Sequence, residues 1–153
     1  MAKDGTKWDE KASPGENARS RIPKLVAAYY LEGRQAAEGQ APPEALHAFR
    51  LHTKKLRYTV ELFRSCYGPG LQRWLAALSR IQDHLGAISD CATAARVCFA
   101  HLPEAAPERE RLAAYLDRRI AREAASFRRY WRSEFDRPAE SRRWEAYFRR
   151  KSR

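Results

Sequence analysis

The sequence predicts an all-α protein, an up-and-down antiparallel helical bundle. Apolar residues recur at helical spacing in one segment after another, as in Leu71, Trp74, Leu75, Leu78, Ile81 and Leu85. No run of four or more residues alternates in the way a half-buried strand requires. The segments are joined by short stretches rich in Pro and Gly, and short connections between long helices make neighbours antiparallel.

At 153 residues the chain suits one domain with a real hydrophobic core. Its 44 % apolar and 32 % charged residues are ordinary for a folded helical protein. The charge balance is not: 30 Lys and Arg against 19 acids leave a formal +11. Such an excess points to an anionic partner, whether nucleic acid, an anionic membrane or a phosphate polymer. The three cysteines, Cys66, Cys91 and Cys98, are odd in number and lack CxxC spacing. They fit neither a disulfide framework nor a zinc site and read as thiols of a reducing compartment. The start of the sequence carries no apolar signal segment, and no apolar run approaches the roughly 20 residues of a membrane span. A cytoplasmic location is the expectation, without membrane.

Residues 1–20 are polar and contain Gly5, Pro14 and Gly15, so they read as a mobile tail ahead of one helical domain, 21–153. Pro23 suits the first turn of a helix running from about Arg21 to Ala37, with Ile22, Leu25, Val26 and Tyr29 on one face. EGQAPPE breaks it, and Pro43 opens a central helix to about Cys66. YGPG is a turn, followed by a helix from about Leu71 to Leu85. Gly86 ends or bends that helix, and Ser89 or Asp90 caps another reaching about His101. A long helix follows from about Pro107 to Asp136, with Arg111, Arg118, Arg122, Arg129 and Arg132 on its outer side. Pro138 stops it, and SRRWEAYFRRK forms a short terminal helix with Trp144, Tyr147 and Phe148 available for docking.

The central helix carries three stripes. Leu46, Phe49, Leu56, Val60 and Phe63 make one apolar face, and Leu51, Tyr58 and Leu62 a narrower second one. Between them run His47, Arg50, Lys54 and Arg57, with Arg64 a turn further on. Like charges three and four apart cost a few tenths of a kcal/mol per pair, and Glu61 is the acid placed to offset them. A cationic strip between two apolar seams suits a helix that packs on two neighbours and presents charge to the space between. Arg80 and His84 form a basic edge on the next helix.

Motifs for chemistry are mostly missing. The glycine pair Gly68 and Gly70 leads into Leu71 and Gln72 rather than a P-loop lysine. No GxSxG or HExxH occurs, and His47 and His52 point too far apart to share a metal. Asp83 and Asp90 read as turn and pairing residues. Neither an enzyme, a metal nor a cofactor is expected.

ALHAFRLHTKKLRYTVELF followed by LSRIQDHLGAISD resembles the CHAD family, the conserved-histidine α-helical domain. Its HxxRxxxKRxR signature is matched by His47, Arg50, Lys54, Lys55 and Arg57, with Lys55 where arginine is frequent. Its LxxLQDxLGxxxD block is matched by Leu78, Ile81, Gln82, Asp83, Leu85, Gly86 and Asp90. The two blocks span about Ala45 to Val97. The resemblance implies a helical module that binds inorganic polyphosphate through basic side chains, in some cases on polyphosphate granules. It also implies two related halves around a basic groove, of which this chain is long enough for one, so a homodimer is expected to complete it.

On this reading the polyphosphate contacts are Arg50, Lys54 and Arg57, with Lys55 on a different side, and Arg80, His84, Arg118 and Arg122 as groove partners. His47 has two open roles, donor to phosphate or structural hydrogen-bonder to the next helix. A general polyanion or nucleic-acid binder is the alternative, although the tryptophans sit at core spacings and no base-reading motif is evident.

Overall fold

The computed structural model describes residues 7–150, and among them no strand occurs. Five α-helices follow in order: α1 (Pro14–Ala36), α2 (Pro43–Leu62), α3 (Leu71–His101), α4 (Pro107–Tyr130) and α5 (Glu140–Arg149). Each of the first three packs on its successor, and α5 returns to α1. This is the expected up-and-down bundle.

α1 begins seven residues ahead of the expected start. Ser13 Oγ accepts from the Glu16 N–H at 3.3 Å, and the Glu16 carboxylate accepts from the Ser13 N–H at 2.8 Å. This reciprocal cap, S-P-G-E with Pro14 at the first helical position, nucleates the helix upstream. Pro23 therefore lies inside α1 rather than opening it. Buried Asn17 bonds the backbone of Asp9, Ala12 and Ser13, so the segment expected as a tail is held from residue 9 onward. Residues 1–6 of that segment lie outside the described residues. Gly39, at φ 93°, supplies the left-handed backbone of the turn between α1 and α2.

α3 is one helix where two were expected. Gly86 does not end it, because that position faces α2 and a Cβ there would stand 3.7 Å from Arg50 Nε. α4 ends earlier than expected, at Tyr130, and continues as a π-helical turn, Trp131–Phe135. The Asp136 N–H donates to the Trp131 carbonyl at 2.7 Å, five residues back. The extra residue in this turn keeps Trp131 and Phe135 both in the core, their rings 4.8 Å apart and packed around Tyr30.

The terminal aromatics close their own bundle. Trp144 and Phe148 pack on Trp74 at 5.5 and 5.0 Å, and the Tyr67 hydroxyl donates to the Phe148 carbonyl at 3.0 Å. That segment is thus used within the chain, which removes it as a ground for expecting a second copy. The second apolar stripe of α2 stays open to solvent. Leu51, Tyr58 and Leu62 are 48, 50 and 77 % exposed.

Candidate functional site: the seam between α2 and α3

α2 is fixed by its buried edge of Leu46, Phe49, Thr53, Leu56 and Val60. Thr53 sets its rotation: the hydroxyl donates to the Phe49 carbonyl at 2.8 Å and lies 2.8 Å from the Tyr29 hydroxyl of α1. With that face inward, residues 47, 50, 54 and 57 fall on the side of α3. The α3 surface opposite them is polar or small: Ser79, Gln82, Gly86, Ser89 and Thr93 recur at helical spacing.

The two helices meet across this seam through named contacts. Arg57 Nη1 donates to Ser79 Oγ at 3.3 Å and to Gln82 Oε1 at 3.2 Å, while its Nε lies 3.5 Å from the Glu61 carboxylate. Arg50 runs over Gly86, with its Nε out of solvent and without a hydrogen-bond partner. His47 Nδ1 is 3.1 Å from Ser89 Oγ. Arg64 Nη2 reaches Gln72 Oε1 at 3.4 Å at the far end. Lys54 Nζ and the Arg57 guanidinium sit 5.8 and 5.3 Å from the Tyr58 ring centroid. These are cation–π distances, and they place the half-exposed ring as a wall beside the row.

The row is poorly neutralised. Among the described residues no ion pair engages His47, Arg50 or Lys54. Arg57 is the member of the row with an acid beside it, Glu61, while one hydroxyl and one amide carbonyl, of Ser79 and Gln82, accept from its Nη1. From residue 47 to residue 64 the row extends about 25 Å at 1.5 Å per residue.

Other expected residues lie elsewhere. Lys55 is on the α1 side of α2, near the His52–Glu32 pair, in a shallow pocket with Leu25 and Thr59. Arg80 and His84 are on the α4 side of α3. Arg80 lies over the Tyr130 ring at 5.5 Å, and the His84 ring is 5.5 Å from the same residue. Burial holds the Tyr130 hydroxyl pKa above its ordinary value, with Arg80 acting in the opposite sense. Arg118 and Arg122 are exposed, on the face of α4 away from buried Leu116 and Phe127. Lys55 is thus on a different side from the strip, as its spacing implies, and the expected convergence of Arg80, His84, Arg118 and Arg122 on the seam is not found. α3 separates the Arg80 edge from α2, and helical spacing turns the α4 arginines outward. Arg132, expected as a solvated residue of that outer stripe, donates to the Ala37 carbonyl at 2.7 Å and so satisfies the end of α1.

Ser79, Gln82, Ser89, Thr93 and Arg96 were missed as seam residues. The signal was their i, i+3, i+10, i+14, i+17 spacing, cut in two by reading Gly86 as a helix end. Among the described residues no three His, Cys, Asp or Glu side chains cluster to hold a metal ion. No helix among them is long and apolar enough to cross a membrane.

A family model described as the CHAD domain matches residues 2–99. The match contains α1, α2 and nearly all of α3, and so both sides of the seam. Comparison with curated proteins and with solved structures finds no match.

Proposed function

Because this chain belongs to the CHAD-domain family, a family of polyphosphate-binding modules, we propose that it binds inorganic polyphosphate along the α2–α3 seam. The observation that carries this is the placement of Arg50 over Gly86 and of Arg57 against Ser79 and Gln82 along α3, in a row whose one ion pair is Arg57 with Glu61. A linear polymer with a charge on every unit can follow such a row. Arginine offers forked, charge-assisted hydrogen bonds to phosphate oxygens, and Lys54 adds a point charge. The structural and ligand roles of His47 are compatible: Nδ1 is engaged by Ser89 Oγ, and the opposite ring nitrogen, Nε2, is free of that contact. Lys55, Arg80, Arg118 and Arg122 add to the long-range field outside the contact row, and His84 stands beside Arg80 on the α4 side.

The module is non-catalytic on this reading, acts in the cytoplasm or on polyphosphate granules, and pairs with a second copy to close the open side of the seam. The support for pairing is the exposed apolar stripe of Leu51, Tyr58 and Leu62 on α2. Incubation with polyphosphate and a divalent metal leaves the polymer length unchanged, and sedimentation shows a dimer in the presence of polymer.

Titration with long polyphosphate at increasing salt tests the reading. Several phosphates neutralised together release several counterions, so log K falls linearly and steeply with log salt, as for nucleic acids. Affinity that barely responds to salt contradicts it. The rival reading, a general polyanion binder, draws on the half-exposed Tyr58 ring, a surface on which a base could stack. Competition separates the two. Polyphosphate displaces a single-stranded oligonucleotide at far lower concentration than the reverse, whereas equal displacement favours the rival.

A further inference from the structure

At the start of α2 the seam widens into a depression of about 350 Å³. His47, Ser89, Thr93 and Arg96 line it together with buried Ile88 and with Glu44. The interior of the seam differs from this end. There, single guanidinium groups follow one another along one helix; here two nitrogen-bearing side chains and two hydroxyls from two helices surround one concave space. Arg96 brings into it a cation from α3.

We propose that this depression receives the terminal phosphoryl group of a linear polyphosphate, while Arg50 and Arg57 take interior units; the proposal rests on the polyphosphate reading above. An interior phosphate has two free oxygens and one charge. A terminal one has three free oxygens and, like a phosphate monoester, carries about −1.5 to −2 near neutral pH. The extra oxygen and extra charge call for converging donors rather than a row. Ser89 Oγ engages His47 Nδ1, and in the tautomer in which that hydroxyl donates, Nε2 carries an N–H that a phosphate oxygen can accept from. Arg96 supplies a fork, and Thr93 a hydroxyl. Glu44 is the carboxylate of the depression and opposes an anion, so Glu44→Gln tightens the binding of chain ends.

Calorimetric titration of the full chain with linear tripolyphosphate and with cyclic trimetaphosphate tests this. The two contain the same number of phosphates, but the ring has no chain end. Wild type is expected to prefer the linear form about tenfold, one step of roughly 1.4 kcal/mol. Arg96→Ala loses most of that preference, while Arg50→Ala, which removes an interior contact one turn along α2 and within reach of a three-phosphate chain, weakens both ligands and keeps the ratio. Circular dichroism confirms that each variant keeps its helix content. Equal affinity of wild type for line and ring, or a preference lost equally in both variants, overturns the subsite. If long polyphosphate still binds in that case, the seam reading stands and the subsite alone is removed. Failure of long polyphosphate to bind removes both.

Discussion

Gly33 shows how closely the bundle is fitted around its largest side chain. The ring of Trp131 occupies the space where a Cβ at residue 33 would stand, and both residues are buried. Neither can give way, since Trp131 is also wedged between Tyr30, Phe49 and Phe135. Gly33→Ala is expected to cost about 3 kcal/mol through overpacking, lowering Tm by roughly 6–12 °C for a chain of this size. A change in Tm within about 1 °C would show that the helices separate more easily than this packing implies. Tyrosines set the alkaline limit. Burial raises the pKa values of Tyr29, Tyr30 and Tyr67 above the ordinary phenol value. A raised folded-state value means that this contribution is fully present below about pH 10 and is lost as pH rises past it. There the unfolded chain ionises and the folded one does not, at up to about 1.4 kcal/mol per pH unit for each residue. Thermal melts should therefore be insensitive to these groups up to about pH 10 and fall above it. Full tyrosinate absorbance in a still-folded protein would contradict the assignment.

At the scale of elements, what could be read in the sequence was local periodicity, and what could not was anything decided by a neighbour. The apolar spacing located α2 and the first half of α3, and His47, Arg50 and Arg57 of the cationic strip do meet the next helix. Gly86 shows the limit. A glycine costs roughly 0.5–1 kcal/mol in a helix interior, but the choice between a break and a passage for Arg50 depends on α2. The π-turn at Trp131–Phe135 is likewise invisible to a 3.6-residue period, because its extra residue is kept by aromatic packing against Tyr30. The start of α1 is a different case, since the S-P-G-E cap is legible in the sequence and Pro23 is a weaker signal than that box. At the site, Lys55 and Arg57 are two residues apart in sequence yet belong to opposite sides of α2, one facing α1 and the other α3. Strain is stored at the start of α5, where Ala139 holds φ 68°. A left-handed non-glycine residue costs roughly 1–2 kcal/mol, and Ala139 is exposed. Ala139→Gly is expected to raise stability by about 1 kcal/mol in chemical denaturation; a loss of stability would mean that the methyl group packs after all.

For the whole molecule, a formal charge of +11 is a standing repulsion that any bound polyanion relieves. Charge alone would attract such a ligand to every basic face, including the Arg118 and Arg122 side of α4. Binding along the seam is a narrower proposal: the polymer lies where Arg50 and Arg57 are held along α3 by Ser79, Gln82 and the gap at Gly86. Position, not charge count, is then what a substitution reads. The sharpest comparison sets the affinity for long polyphosphate of Arg50→Ala beside that of Lys55→Ala, two single-charge removals five residues apart on one helix. Seam binding predicts about a tenfold loss for Arg50→Ala, as for one charge-assisted hydrogen-bonding group. For Lys55→Ala it predicts a change within about a factor of two, as for a screened surface charge. Equal losses in the two variants would contradict it.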